Sequence, residues 1–173
     1  PIEFIDALFT SVSAVCVTGL VTIIPAEQFT LAGQIILMLL IQIGGLGIIA
    51  CISAFYLILG KRITMKTRIT IQQAYGLDTL SGLVKFMIRI LKGTFLVEGI
   101  GAVLFAFQFV PEFGFIKGAW YGIFHSISAF CNAGIDILGS TSFMQYVTSP
   151  LVSFTTMFLI VTAGLGFPVW HDI

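Results

Sequence analysis

Charge is scarce in this chain: its 173 residues include 8 Lys or Arg and 8 Asp or Glu, 9% of the total. Soluble domains carry about 25% charged residues, so a chain this poor in them cannot clothe a water-facing surface. The equal counts give a formal net charge of zero, which leaves no basic excess for nucleic acid. Cysteine is also sparse. Cys16, Cys51 and Cys131 lie in apolar or small-residue stretches without paired spacing, which argues against a disulfide framework. No Ser/His/Asp set, phosphate-cradling glycine loop or paired catalytic carboxylate occurs, so we expect no enzyme and no cofactor. There is no initial Met and no basic n-region ahead of a signal segment. Pro1, and the ending Pro-Val-Trp-His-Asp-Ile on an apolar run, look cut, so a fragment of a longer chain is expected.

What the chain has instead is apolar mass. It is 58% hydrophobic, with 17 Phe and 18 Gly, and its mean hydropathy is +1.08. Phenylalanine suits a lipid-facing surface and glycine lets helices approach closely, both features of membrane bundles. The expectation is an all-α integral membrane protein that crosses the bilayer of the cell membrane several times.

Residues 3–14 make an amphipathic stretch of about three helical turns, short of the roughly 20 apolar residues a span requires. It enters and turns back, and the non-helical backbone after it must be buried in protein or line water. Residues 31–59 carry no charge and are long enough to cross as one inner helix. Gln34 and Gln42 are its polar members, and Gly44, Gly45 and Gly47 interrupt its middle. A basic loop, 61–86, follows. The stretch 60–93 holds Lys61, Arg62, Lys66, Arg68, Lys85, Arg89 and Lys92, seven of the eight basic residues, against Asp78 alone. By the positive-inside rule it is cytoplasmic, where it also meets anionic lipid. An outer helix over about 87–110, an outer turn at Pro111, Glu112 and Gly114, a short helix over about 118–130 and an inner helix over about 150–171 complete the chain.

One phrase is written twice. Ser-Val-Ser-Ala-Val-Cys-Val-Thr-Gly-Leu at 11–20 and Ser-Ile-Ser-Ala-Phe-Cys-Asn-Ala-Gly-Ile at 126–135 agree at five of ten positions, at a constant offset of 115. Gly-Leu-Gly at 45–47 then matches Gly-Leu-Gly at 164–166 at an offset of 119. The repeating unit is outer helix, short re-entrant helix, turn and inner helix. The first unit, 1–60, lacks its outer helix and has its turn at 15–20; the second, 87–173, has its turn at 131–135. Two spans separate the turns, so both face the same side and the repeats are parallel.

A turn of small residues between a short and a long helix suits a cation path, because consecutive backbone carbonyls can replace the hydration shell of the ion. Glycine permits the backbone angles required, and the helix before the turn presents its partially negative carbonyl end. The candidate ion-binding residues are Val17, Thr18, Gly19, Asn132, Ala133 and Gly134. The competing reading is a packing turn with no ion. Glu3, Asp6, Glu27, Glu112 and Asp136 fall on the outer face, where acidic charge raises local cation concentration. Asp136, two residues past Gly134, is the vestibule candidate, and Glu3, Glu27 and Glu112 read as solvated loop charge. Glu98 stands inside a span, which makes it a functional-site hypothesis; pairing with Lys92 or Arg89, or a place near the bundle core, is expected. His125, at the position of Thr10, reads as a packing or capping group. The glycines of the inner helices serve as hinges or as close-packing points, and the cysteines as small buried hydrophobes rather than metal ligands.

Ser-Ala-Val-Cys-Val-Thr-Gly-Leu followed by Gly-Gly-Leu-Gly-Ile, with Phe-His-Ser-Ile-Ser-Ala-Phe-Cys-Asn-Ala-Gly-Ile-Asp further on, resembles the Trk/Ktr/HKT superfamily of potassium transporters. The likeness is nearest to the membrane subunits of its bacterial Ktr branch and covers nearly the whole chain. It implies four pseudo-fourfold pore-loop repeats around one pore, each with a single filter glycine, here Gly19 and Gly134. It also implies potassium as the transported ion, with sodium passage or coupling (symport) through a simplified filter. The partners implied are a second copy in a dimer and a cytosolic nucleotide-binding regulatory ring. Two alternatives stand beside it: a homodimeric potassium channel with two pore loops per chain, and a non-conducting membrane structural subunit.

Overall fold

The computed structural model describes residues 2–58, 65–75, 83–166 and 169, and these are helical with no strand among them. The helices are α1 (Phe4–Cys16), α2 (Pro25–Gln28), α3 (Leu31–Leu46), α4 (Ile48–Ile58), α5 (Met65–Tyr75), α6 (Leu83–Phe113), α7 (Phe115–Phe130) and α8 (Pro150–Gly164), with a 3₁₀ turn at Ser142–Tyr146 before α8. Lys61, Arg62, Asp78 and Pro168 lie outside the described residues. Local chemistry sets several starts. The Thr30 hydroxyl accepts from the Gly33 N–H at the head of α3, and Pro25 and Pro150 open α2 and α8, where a missing N–H costs nothing.

α6, at 31 residues, is the one described helix long and apolar enough to cross a membrane unaided. Phe95, Leu96, Val103 and Phe107 on its flank are each more than half exposed, as suits lipid and is compatible with a membrane protein. It runs past the expected end near 110, through Pro111 to Phe113. Proline removes one donor only, and within the last turn that leaves a single carbonyl unpaired. Gly114, at φ 82°, then reverses the chain into α7.

α6 and α7 pack as an antiparallel hairpin through small residues. A Cβ on Gly122 would lie 2.7 Å from the Ala102 carbonyl, and one on Gly118 only 2.5 Å from the Val110 Cα. Two glycines four residues apart on one face bring helix backbones together in this way. α8 closes the other side of the pair, while α1 packs on α3 and α3 on α7.

The run expected as one inner helix over 31–59 is two helices. α3 ends at Leu46, Gly47 takes φ 80° and ψ 151°, and α4 begins at Ile48. At about 24 Å, α3 is shorter than the roughly 30 Å hydrocarbon core. The break frees the Ile43 carbonyl, since the Gly47 N–H turns to Gly44 instead, and the Cys51 thiol donates to it at 3.7 Å. The second unit repeats the feature. α8 stops at Gly164, and Gly166, the mate of Gly47, takes φ 82°.

Beneath the outer loop, rings of Phe105, Phe109, Tyr121, Phe124 and Phe143 surround His125 with centroids 5.1–6.5 Å from it. The loop is tied to α6 by polar contacts: the Tyr146 hydroxyl donates to Glu112 at 2.5 Å, and Gln108 donates to the other Glu112 oxygen at 2.6 Å. Ser149 in turn donates to Gln108 at 3.2 Å.

Two outcomes are expected. Gly122→Val should cost about 1–3 kcal/mol through overpacking, lowering the melting temperature of the detergent-solubilised protein. Gly99→Ala, whose Cβ would meet nothing within 4 Å, serves as the near-neutral control; equal melting temperatures would disprove the tight contact. Burial, and then the Glu112 carboxylate, push the Tyr146 phenol above its ordinary value. The folded state therefore holds that proton more tightly, so stability is intact below about pH 10 and falls as pH rises beyond it. Tyr146→Phe should flatten that alkaline decline in a melting-temperature series, and an unchanged slope would remove Tyr146 from it.

Candidate functional site: two glycine turns in contact

The two copies of the repeated phrase fold into the same backbone turn. α1 ends where Val17 takes φ 53°, and α7 gives way to Asn132 at φ 57°, its mate in the repeat. Two residues on, Gly19 takes φ 74° and Gly134 φ 67°. The hydrogen bonds match as well. Val17 N–H donates to Ala14 and Thr18 N–H to Ser13; Asn132 N–H donates to Ala129 and Ala133 N–H to Ser128. A left-handed residue that closes a helix end against its last carbonyls is a recurrent stop, ordinarily glycine or asparagine. Valine at that position carries strain, so the surrounding packing must hold it there.

The turns meet each other. The Ala133 carbonyl oxygen sits 2.7 Å from where a Cβ on Gly19 would be, and the Gly134 Cα lies 3.7 Å from the same point. A Cβ on Gly134 would in return lie 3.9 Å from the Gly19 Cα. Among the described residues no hydrogen bond is donated to the carbonyls of Val17, Thr18, Gly19, Asn132, Ala133 or Gly134. These six carbonyls, without donors among the described residues and at the C-terminal ends of two helices, carry partial negative charge supplied by backbone alone.

Side chains brace the turns differently. In the first, Ser13 and Thr18 share a hydroxyl–hydroxyl bond of 2.8 Å. In the second, Ser128 donates to the Ile135 carbonyl at 2.5 Å. His125 adds a tether: its Nδ1 lies 2.6 Å from the Tyr121 carbonyl and its Nε2 accepts from the Ile137 N–H at 3.2 Å. A carbonyl can only accept and an N–H only donate, so the ring is the neutral tautomer with its proton on Nδ1. Its mate Thr10 is fully buried, with a hydroxyl that has no partner. Behind the second turn a cavity of about 190 Å³ lies among His125, Ser128, Asn132, Gly134 and Thr156.

Of the sequence-derived candidates, the structure brings Val17, Thr18, Gly19, Asn132, Ala133 and Gly134 to one place. Asp136 stands beside them with both oxygens engaged, Oδ1 accepting from the Leu138 N–H at 3.0 Å and Oδ2 from Ser142 at 2.7 Å. It shapes the outer loop as an Asx turn. Cys16 is exposed and Cys131 buried, the latter's sulfur packed where Gly45 lacks a side chain. Gly44 likewise seats against the Val15 carbonyl, so these two glycines are packing points and Gly47 is the break.

The expected pairing of Glu98 with Lys92 or Arg89 does not form. Those residues are exposed and lie about 1.7 and 2.5 helical turns away, which points them to other sides of α6. Glu98 instead accepts from Gln42 of α3 at 2.9 Å, and Trp120 of α7 donates to Gln34 of α3 at 3.0 Å. Both polar residues of α3 thus cross-link the first unit to the second. Sequence reasoning missed these pairs, although two glutamines in an otherwise apolar run were their visible sign.

The description of the family whose model matches residues 1–173 is TrkH, cation transport protein. The potassium/sodium uptake protein NtpJ of Enterococcus hirae is 48% identical over 171 residues, 99% of this chain and 38% of that protein. Ktr system potassium uptake protein B of Bacillus subtilis is 39% identical over 100% of this chain and 39% of its own length. Its Vibrio alginolyticus counterpart is 41% identical over 97% and 37%. The chain therefore spans less than two-fifths of the length of these relatives. The family match over every residue, joined to identities of this size, makes the chain a member of the TrkH cation transport protein family.

Proposed function

We propose that the two turns are two parts of a cation-selective filter. In it the carbonyls of Val17, Thr18, Gly19, Asn132, Ala133 and Gly134 replace the hydration shell of a passing potassium ion. The observation that carries this reading is the recurrence of one left-handed turn at both sites, with Gly19 and Gly134 in contact. The absence of donors on those carbonyls among the described residues supports it. So do the names of the relatives, one a potassium/sodium uptake protein and two potassium uptake proteins. Sodium is the second, less favoured cargo.

On this reading α1, the first turn and α3 belong to one pore-loop repeat, and α6, α7, the second turn and α8 form the next, two of four around one axis. The chain is the pore-forming part of an uptake protein of the plasma membrane. The basic stretch 60–93 faces the cytoplasm, and Asp136 lines the outer mouth as a fixed loop anchor. The naming of two relatives as parts of Ktr systems supports work with further components. These are a second membrane subunit in a dimer and a cytosolic nucleotide-binding ring.

Gly19→Ala and Gly134→Ala should both weaken the preference for potassium over sodium when the full-length protein is assayed for uptake in a potassium-requiring strain. Each places a side chain at positive φ, a strain of about 1–3 kcal/mol, which, falling wholly on potassium binding, would lower the preference by about 5- to 150-fold. Gly19→Ala should be the more severe, since its methyl also meets the Ala133 carbonyl at 2.7 Å. Unchanged selectivity in Gly19→Ala would end the filter assignment. For sidedness, Lys117→Cys should react with a membrane-impermeant maleimide on intact cells, and Lys85→Cys only after permeabilisation. The reverse pattern would invert the topology.

A further inference from the structure

The buried contact between α3 and α6 contains a hydrogen-bonding mismatch. Gln42 Nε2 donates to Glu98 Oε1 at 2.9 Å. The other two atoms of the same pair, Gln42 Oε1 and Glu98 Oε2, are buried and have no partner among the described residues. Both are acceptors if Glu98 is ionised, and Glu98 is only 4% exposed. An ionised carboxylate in such a place requires a cation or several donors.

No cation faces it. α4 and α8, which pack on α6, and α3, which meets it through Gln42, contain no charged residue. On α7, Lys117 lies over the rings of Phe113 and Tyr121, at the far end of the hairpin, and His125 is neutral with both nitrogens engaged. On α5, Arg68 belongs to the helix that packs by Ile71 against Phe86, Met87 and Ile90, at least two turns before Glu98. Arg89 and Lys92 of α6 itself are exposed. The remaining titratable neighbours are the thiols of Cys131 and Cys51, which add no positive charge, and the Ser126 hydroxyl is committed to the Glu98 backbone carbonyl at 2.6 Å.

A single proton resolves the mismatch. A carboxylic acid and a primary amide each present one donor beside one acceptor, and face to face they close a ring of two hydrogen bonds. We propose that Glu98 is a proton-binding site, held as the neutral acid, whose Oε2–H donates to Gln42 Oε1 while Gln42 Nε2 donates to Oε1. The pair fastens α3 to α6 one turn before Gly45 packs on Cys131, so Glu98 acts as a positioning residue for the second turn. This assignment does not depend on the filter reading, because it is measured first by structure and stability.

The test uses the full-length protein in lipid nanodiscs. Glu98→Gln reproduces both hydrogen bonds without a titratable proton. It should keep the wild-type melting temperature and potassium uptake, while Glu98→Ala loses several degrees of melting temperature. Infrared spectra should show a protonated-carboxyl band at neutral pH that Glu98→Gln removes. Gln42→Leu should destabilise, and Glu98→Leu added to it should restore much of the loss, which keeps the proposal testable if Glu98→Gln fails to fold. Three results overturn it: no such band at neutral pH, Glu98→Gln as unstable as Glu98→Ala, or uptake lost in Glu98→Gln at wild-type stability. The last would mean that the charge itself is used.

Discussion

Backbone-to-backbone approach between Gly19 and Gly134 is the contact on which the rest of the chain depends. It needs two residues without side chains at positive φ, each delivered by a helix that stops at the right height. α1 and α7 do the delivering. Each is too short to cross a membrane and each ends in a left-handed residue rather than fraying. α3 then has to lie close behind, which explains why Gly44 and Gly45 face the Val15 carbonyl and Cys131 with no side chains of their own.

Polar atoms are few in this bundle, and several of them join one helix to another. Trp120 meets Gln34, Glu98 meets Gln42, Ser126 meets the Glu98 backbone, and Cys51 answers the carbonyl freed by the break at Gly47. Between apolar helices in lipid there is little hydrophobic gain on association, so small-residue contacts and such hydrogen bonds carry the specificity. The α6–α7 hairpin shows the first device, and the α3 cross-links show the second.

Much of this was legible in the chain itself. The repeated phrase and its Gly-Leu-Gly echo identified the turns, because a backbone conformation that demands glycine leaves its mark in sequence. Helix type and approximate place followed from apolar length. What the sequence withheld was three-dimensional choice. Nothing in an uncharged run of 29 residues says that Gly47 rather than Gly44 will break the helix. Nor could basic residues nearby in sequence be seen to point away from Glu98 until the helical phase was fixed. Asp136 looked like a free mouth charge because its partners, Leu138 and Ser142, are ordinary loop residues whose approach depends on the turn.

The two copies of the turn are twins in backbone but not in bracing. Histidine in the second copy reaches across to the strand of chain leaving the turn, while threonine at the same place in the first copy reaches nothing. The first turn keeps the Ser13–Thr18 bond, while the second has both the Ser128 and the His125 tether. On the proposed reading, a ring built from such unequal members would be tied down more firmly behind α7 than behind α1.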